Sequence, residues 1–337
     1  MRDKSCNGTV FTIDRSIGRD SLVSDRVWNI LACPACGGIL LRVDAGAKCA
    51  TCQTRYPASR DGQLDLRLKA PKRYKLEVSL GEKWSGDSFE FDRIKPNPSP
   101  QFDVDSVRFH PGLTFGNRLT RELLTHFPRA SSSGGLMLDL GCDHRDFAEP
   151  CGGTNLEYVG MDYQGTKPDL LGDAHSLPFQ DNVFDFVISI AVLEHLRHPL
   201  VAMREVYRVL KPGKLFIGTV AFLEPFHQRS FYHHTHLGTY DSLSSAGFDV
   251  RQIEPNMDWT GLQAIAKMSS FPDLPGKVTN LLVWLIRALA RVWCALQDIR
   301  GKTPGEREML GQLSTTGGFR FIAVKPVSAP EQQDQPQ

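Results

Sequence analysis

Four of the eight cysteines fall in two close pairs, Cys33 with Cys36 and Cys49 with Cys52, with twelve residues between the pairs. Each Cys-x-x-Cys turn aims two thiolates at one point. A hairpin between the turns closes a tetrahedron, the arrangement of a structural zinc site. Four thiolates leave no open coordination position, so such an ion holds a fold together and does not act on a substrate. A segment of roughly forty residues buries too little surface to fold unaided, and the metal supplies the missing stability. Cys6, Cys142, Cys151 and Cys294 show no comparable spacing.

A second set of residues is acidic. The apolar run 136–140 leads into Asp139-Leu140-Gly141, and a second run, 158–161, ends at Asp162. A strand ending at a glycine opens the ligand-binding turn of a doubly wound fold, because a ligand can approach a backbone that carries no side chain. An acid at the end of the second strand accepts hydrogen bonds from ribose hydroxyls. A dinucleotide site needs Gly-x-Gly-x-x-Gly, but this turn reads Gly141-Cys142-Asp143-His144-Arg145 and lacks the later glycines. Asp139 and Asp143 repel a pyrophosphate and attract an ammonium or sulfonium group instead.

The third set is histidine-rich. Glu194-His195 follows the run 184–190, at the rim where ligands bind in open α/β sheets. With an unperturbed pKa of about 6.5, His195 suits a general base at neutral pH, and Glu194 can orient it or contact a cofactor. A packing or capping His–Glu pair is the alternative. Residues 226–240 hold His227, His233, His234 and His236 among aromatics. His233 and His236 are candidates for acceptor binding or proton transfer. Metal binding is the weaker reading, since no carboxylate is interleaved and extended backbone points neighbours apart.

The elements that must position these groups follow from periodicity. Leu119, Leu123, Leu124 and Phe127 recur at helical spacing. Strands are expected at 136–140, 158–161, 184–190, 215–221, near Val250 and at 319–324. A helix carrying Leu200, Met203, Val206, Tyr207 and Leu210 is expected to close at Lys211-Pro212-Gly213. A short helix is expected at 240–246. Alternating strands and helices imply an α/β, doubly wound, mostly parallel sheet, preceded by a small cysteine domain. The expected division is a disordered tail at 1–27, the four-cysteine segment at 28–68, a linker at 69–101 ending in Lys95-Pro96-Asn97-Pro98-Ser99-Pro100, a catalytic domain at 102–326 and a disordered tail at 327–337. Within the large domain, 257–316 is a helical insertion. Its segment 278–300 is apolar apart from a stripe of Asn280, Arg287, Arg291 and Asp298. So wide an apolar surface needs a cover: the core, a second subunit, an acceptor lipid or a membrane interface.

Several motifs in order resemble class I S-adenosylmethionine-dependent methyltransferases of the type-11 group: LMLDLGC (136–142), YVGMD (158–162), GDAHSLPF (172–179), FDFVISIAVLEHL (184–196), REVYRVLKPGK (204–214) and AGF (246–248). The resemblance implies a Rossmann-like methyltransferase fold with S-adenosylmethionine as cofactor. It places Asp139 and Gly141 beside the methionine moiety, Asp162 with neighbouring Tyr163 at the ribose, Asp173 with Ala174 at the adenine edge, and Ala191 in the pocket wall. The family turn usually reads Gly-x-Gly-x-Gly. Here Asp143 and Arg145 stand at the later two positions, so Arg145 is expected to pair with the methionine carboxylate, and Asp143 is a potential obstruction. The cysteine segment resembles the Trm112-like zinc ribbons through CPACGGIL (33–40), CATCQTRYP (49–57) and the Asp61-Gly62 turn. Ribbons of that family recognise proteins or substrates.

With 337 residues and 39 Lys and Arg against 38 Asp and Glu, the chain is an ordinary globular sequence, not a polyelectrolyte. No chain-wide basic surface exists for non-specific nucleic-acid binding. Residues 33–75 carry nine Lys or Arg and three Asp, a local basic patch. The polar first residues and the arginines within 279–296 argue against a signal peptide and a bilayer span, so a cytoplasmic protein is expected. The expected activity is methyl transfer to a small-molecule, saccharide or lipid-linked acceptor. RNA methylation and a decayed binding or scaffold protein are the alternatives.

Overall fold

A computed structural model of the chain describes residues 23–59, 61–75, 119–131, 134–165, 167–224, 229–256, 260–269, 275–298 and 315–327. The polypeptide begins with a short helix, α1 (Asp25–Asn29), whose N-cap Ser24 accepts a hydrogen bond from the Val27 amide. Strands β1 (Leu40–Val43), β2 (Gly46–Cys49) and β3 (Arg55–Pro57) form an antiparallel sheet in that order. The chain then enters a second, larger sheet at β4 (Leu64–Asp65).

The remaining elements are α2 (Arg121–Leu124), β5 (Leu136–Leu140), α3 (Ala148–Cys151), β6 (Glu157–Asp162), β7 (Leu170–Leu171), β8 (Phe184–Ile190), α4 (Pro199–Val209), β9 (Leu210–Ala221), α5 (His236–Ser245), β10 (Asp249–Pro255), α6 (Gly261–Ser269), α7 (Gly276–Asp298) and β11 (Gly318–Val324). The large sheet has the order β10-β11-β9-β8-β5-β6-β7-β4. Strands β4 to β9 pair in parallel, and β11 runs antiparallel between β9 and β10. The chain leaves β5 toward β6 and β7, then restarts on the other side of β5 with β8. That reversal opens a crevice at the carboxyl ends of β5 and β8.

Alternation along the strands divides the core between the two faces. Leu136, Leu138 and Leu140 enter one cluster with Val187, Met203, Val206 and Phe216. Met137 enters the other with Leu119, Leu123, Leu124, Phe127 and Phe186. Phe127 meets Phe186 edge-on, with ring centroids 4.8 Å apart.

The cysteine segment is built onto the sheet and is not an appended bead. Strand β4 pairs in parallel with β7, and the Leu66 amide continues the pairing to the Leu171 carbonyl at 2.8 Å. Ala32 donates to the Pro178 carbonyl and Gln180 to the Ile30 carbonyl, each at 2.9 Å. Leu31, Leu40, Tyr56, Leu64 and Leu66 share one buried cluster with Leu138, Val159, Leu170 and Phe179.

Several expected boundaries shift. The end of the 1–27 tail is helical from Asp25, and Val23 and Val27 are buried in the main core. The start of the 69–101 linker is anchored: Lys72 Nζ donates to the Pro34 carbonyl at 2.8 Å and to Ser176 Oγ at 2.9 Å. Helix α4 stops at Val209, before Lys211-Pro212-Gly213, and those residues belong to the start of β9. Lys325 Nζ caps that end by donating to the Tyr207 and Leu210 carbonyls at 2.7 and 2.9 Å. No local pattern announces a partner more than a hundred residues away. The helix expected at 240–246 begins earlier, at His236, because the Thr235 side chain caps it by accepting from the Gly238 amide. Residues 1–22, 76–118 and 328–337 lie outside the described residues, with most of the expected linker and of both expected tails.

Because one core spans both sheets, Leu66→Ala, at a fully buried position, is expected to destabilise the whole fold by about 2–5 kcal/mol. Chemical denaturation followed by tryptophan fluorescence checks this. An unchanged midpoint would mean that the cysteine segment folds apart from the large sheet.

Candidate active site

Crowding at the sheet reversal sets the first local constraint. Gly141 follows β5 with φ +82°, and a Cβ there would lie 2.3 Å from Val192 Cγ2. Glycine is therefore required by the packing of the neighbouring loop. Ala191, just after β8, has φ +55° and is held by its amide on the Thr219 carbonyl and Thr219 Oγ1.

The turn after Gly141 keeps a glycine-like backbone without further glycines. Asp143 has φ +44° and Arg145 φ +65°, a conformation that costs a side-chain-bearing residue energy and persists only where the surroundings enforce it. The enforcing contacts are visible. The Gly141 amide donates to the Met161 carbonyl at 2.8 Å, the Arg145 amide to the Cys142 carbonyl at 2.7 Å, and the Asp143 amide to Asp162 Oδ2 at 2.9 Å. The Asp143 side chain is 65% exposed, with His144 Nε2 3.7 Å away, so its carboxylate lies in solvent and does not plug the turn.

Arg145 does not stand free to meet a carboxylate ligand. Its guanidinium pairs with Asp169 and lies 4.7 Å from the centre of the Tyr158 ring. Asp169 is itself held by the Gly160 amide, which donates to Oδ2 at 2.8 Å. The guanidinium thus has an internal partner besides the methionine carboxylate expected for it. Tyr158 reaches it from β6 and Asp169 from the residue before β7, and sequence spacing does not show that convergence.

Asp139 is fully buried on β5. Tyr158 Oη donates to its Oδ2 at 2.5 Å, while Oδ1 has no hydrogen-bond partner. Burial pushes the Asp139 carboxyl up to about 7, with nearby Asp162 adding to the rise and the Tyr158 hydroxyl opposing it. Asp162, at the end of β6, accepts from the Asp143 amide through Oδ2 and from the Gln164 amide through Oδ1, both at 2.9 Å. Each oxygen retains a lone pair. Tyr163 is exposed, with the Arg67 guanidinium 5.5 Å from its ring and donating to its carbonyl at 3.2 Å.

Beyond β7, Asp173 Oδ1 accepts from the His175 amide at 2.9 Å and contacts His175 Nδ1 at 2.7 Å. Burial opposes ionisation of Asp173, but the His175 contacts outweigh it and hold the carboxyl below its ordinary value. The His198 amide donates to His175 Nε2 at 3.1 Å. A backbone amide only donates, so Nε2 is the acceptor and Nδ1 carries the proton toward Asp173. Ala174 is buried beside this pair.

The histidine-rich segment forms a cleft of about 400 Å³ lined by His198, Tyr232, His233, His234, Thr235 and Ser242, among others. Phe231 and Tyr232 donate their amides to the Glu194 carbonyl, which ties the cleft wall to the turn after β8. Glu194 is fully buried in that turn, with His195 beside it at intermediate exposure. Of the four residues expected to act on an acceptor, His233 lines the cleft. His236 instead starts α5 with its ring 5.7 Å from that of Phe319, and burial lowers its pKa. His234, not singled out by spacing, is the buried histidine of the segment. Its Nε2 lacks a hydrogen-bond partner and burial lowers its pKa. His227 lies outside the described residues.

In the cysteine segment, the Sγ atoms of Cys33, Cys36, Cys49 and Cys52 all lie within 4.8 Å of one another. The pairs Cys33–Cys52 and Cys36–Cys49 are 3.7 and 3.5 Å apart. A zinc ion with bonds of about 2.3 Å to four sulfurs sets edges of about 3.8 Å, so the quartet fits one tetrahedral ion.

Residues 138–218, which run from β5 through the crevice to β9, match the family model described as a methyltransferase domain. Over this span the chain is similar to methyltransferase domains. A demethylmenaquinone methyltransferase of Renibacterium salmoninarum is 31% identical over 126 residues, covering 34% of this chain and 52% of that protein. A ubiquinone/menaquinone biosynthesis C-methyltransferase of Neisseria meningitidis is 46% identical over 57 residues, covering 17% of this chain and 22% of that protein. The chain thus spans about half or less of the length of these curated relatives. A chain from the complex between the Haloferax volcanii Trm112 methyltransferase activator and a methyltransferase is 19% identical, covering 63% of this chain and 90% of its own, with a TM-score of 0.40.

The raised Asp139 pKa gives a signed expectation for the methyltransferase domain without ligand. Below the ordinary carboxylate range the acid is neutral folded and unfolded; as pH rises toward 7, only the unfolded chain ionises freely, and stability is lost. Asp139→Asn removes that penalty. It should raise the melting temperature at pH 8 and leave it nearly unchanged at pH 4. Thermal scans at the two pH values check this, and equal shifts at both would refute it.

Proposed function

We propose that the protein is an S-adenosylmethionine-dependent methyltransferase acting on a small-molecule, saccharide or lipid-linked acceptor. The observation that carries this reading is the convergence of Asp139, Gly141, Asp162 and Ala191 on one crevice, at the reversal of strand order within the methyltransferase domain. The buried Asp139 Oδ1 without a partner is the polar atom a cationic ligand would satisfy. A bound S-adenosylmethionine supplies a methyl group on a positively charged sulfur. Asp139 favours a cation nearby and loses its raised pKa when one binds. Asp162 has lone pairs to accept two ribose hydroxyls. Asp173 and Ala174 remain candidates for the adenine edge, with His175 fixing the carboxylate's orientation.

The acceptor is assigned to the cleft beside Glu194. Methyl transfer depends mainly on holding nucleophile and methyl group in line, which a walled cleft achieves. His233 lines it and His195 stands on the adjoining turn, so these two are the candidates to take a proton from a hydroxyl or ammonium acceptor. The names of the Renibacterium and Neisseria relatives, which cite demethylmenaquinone and ubiquinone/menaquinone biosynthesis, favour a small-molecule acceptor.

The RNA-methylating alternative receives less support, because much of the basic patch is engaged internally. Arg67 and Lys69 both pair with Asp65, Arg42 pairs with Asp25, and Lys72 binds Pro34 and Ser176. The scaffold alternative loses its main argument, since the Asp143 side chain lies in solvent.

Calorimetry with S-adenosylmethionine should show binding, and Asp162→Ala should weaken it by about 1–3 kcal/mol, as for lost hydrogen bonds to an ionised group. No heat with the unaltered protein would overturn the enzymatic reading, and an unchanged affinity in the variant would move the ribose elsewhere. The four cysteines are assigned to one structural zinc ion. Metal analysis should give one zinc per chain, lost in Cys49→Ser/Cys52→Ser, and full retention of zinc would refute that assignment.

A further inference from the structure

Helix α7 is amphipathic the wrong way round for a core element. It meets the rest of the protein through α6, with Val283 buried and Arg287 Nη2 donating to Thr260 Oγ1 at 3.2 Å. Leu281, Leu285, Leu289, Val292 and Leu296 recur at steps of four, four, three and four, so they line one stripe. All five are exposed, Leu289 by 71%. Leu282, Ile286 and Trp293 widen the stripe on one flank, and Trp284 stands at the other. The two tryptophans are 60% and 61% exposed.

We infer that this face docks on the surface of an anionic lipid bilayer. Charge favours that occupant. The helix carries Lys277, Arg287 and Arg291 against a single acid, Asp298, so it is cationic as well as apolar. A leucine stripe flanked by Trp293, with Arg291 and Trp284 along its other border and Arg287 behind, is the composition of a helix lying in the headgroup boundary. The arginines on the polar side also oppose full insertion, and no described helix is long and apolar enough to cross a membrane.

The position of the helix gives the contact a consequence. The α6–α7 insertion leaves the sheet after Pro255 of β10 and returns at Gly318 of β11, which pairs with Ala221 at the end of β9. That is the edge at which the carboxyl ends of the parallel strands lie. The insertion that carries α7 is therefore rooted at the edge that bears the crevice. The docking itself does not depend on the methyl-transfer reading.

The test uses the full-length protein with no methyl donor, so its outcome is separate from that of the proposed activity. Vesicles of phosphatidylcholine with about 30% phosphatidylglycerol should sediment the protein and, when made with brominated chains, should quench its tryptophan emission. Phosphatidylcholine alone should bind it several-fold more weakly. Leu285→Glu/Leu289→Glu should weaken binding to the anionic vesicles at least about tenfold. Leu285→Ser/Leu289→Ser, which adds no charge, should also weaken it, and unchanged circular dichroism controls for folding. Failure of the unaltered protein to bind, or full binding by both variants, would overturn the inference. A dimer in ultracentrifugation that the variants dissociate, without vesicle binding, would assign the face to a second copy instead. Tryptophan emission already shielded from aqueous quenchers in a monomer would assign it to a cover from this chain.

Discussion

The parallel pairing of β5 with β6 on one side and β8 on the other is the constraint on which the rest of the structure depends. A central strand buried on both faces must be apolar throughout, yet β5 carries Asp139 in its interior. The fold accommodates that acid by donating the Tyr158 hydroxyl from β6 to one oxygen and leaving the other without a protein partner. A buried carboxyl with spare acceptor capacity at the reversal of a doubly wound sheet costs stability. Under the proposed function, a cationic ligand would offset that cost.

The turn after β5 shows how the same backbone is reached by different means. Gly141, Asp143 and Arg145 all have positive φ, but only the first is a glycine. The Asp162 carboxylate holds the Asp143 amide, and the Asp169–Arg145–Tyr158 cluster holds the next turn. Side-chain contacts from two strands thus enforce a conformation that glycine adopts freely. The crevice keeps its outline, while the charges around it differ from those of a glycine-rich turn.

The cysteine segment contributes to the same sheet. Strand β4 extends its edge beyond β7, and the shared apolar cluster runs from Tyr56 and Leu66 into Leu138 and Val159. Any ion held by the four thiolates would therefore stabilise the segment that covers this edge. Arg67, leaving β4, reaches the Tyr163 carbonyl beside Asp162. The cysteine domain and the crevice thus communicate through direct contacts.

Local pattern was enough to identify the cysteine quartet, the acids at the ends of β5 and β6, and the α/β alternation. Each depends on spacing within one element or one turn, and the period of a strand or a metal-binding loop is written directly in the chain. Tertiary structure decided the features that need distant partners. Arg145 pairs with Asp169, Lys325 caps the end of helix α4, His234 is buried while His233 is exposed at the same cleft, and β4 joins the large sheet. It also decided which side of α7 meets α6 and leaves the leucine stripe outward. Periodicity shows that a helix has an apolar face, but only the packing of the other elements determines whether that face is covered, because burial is a property of neighbours and not of the segment itself.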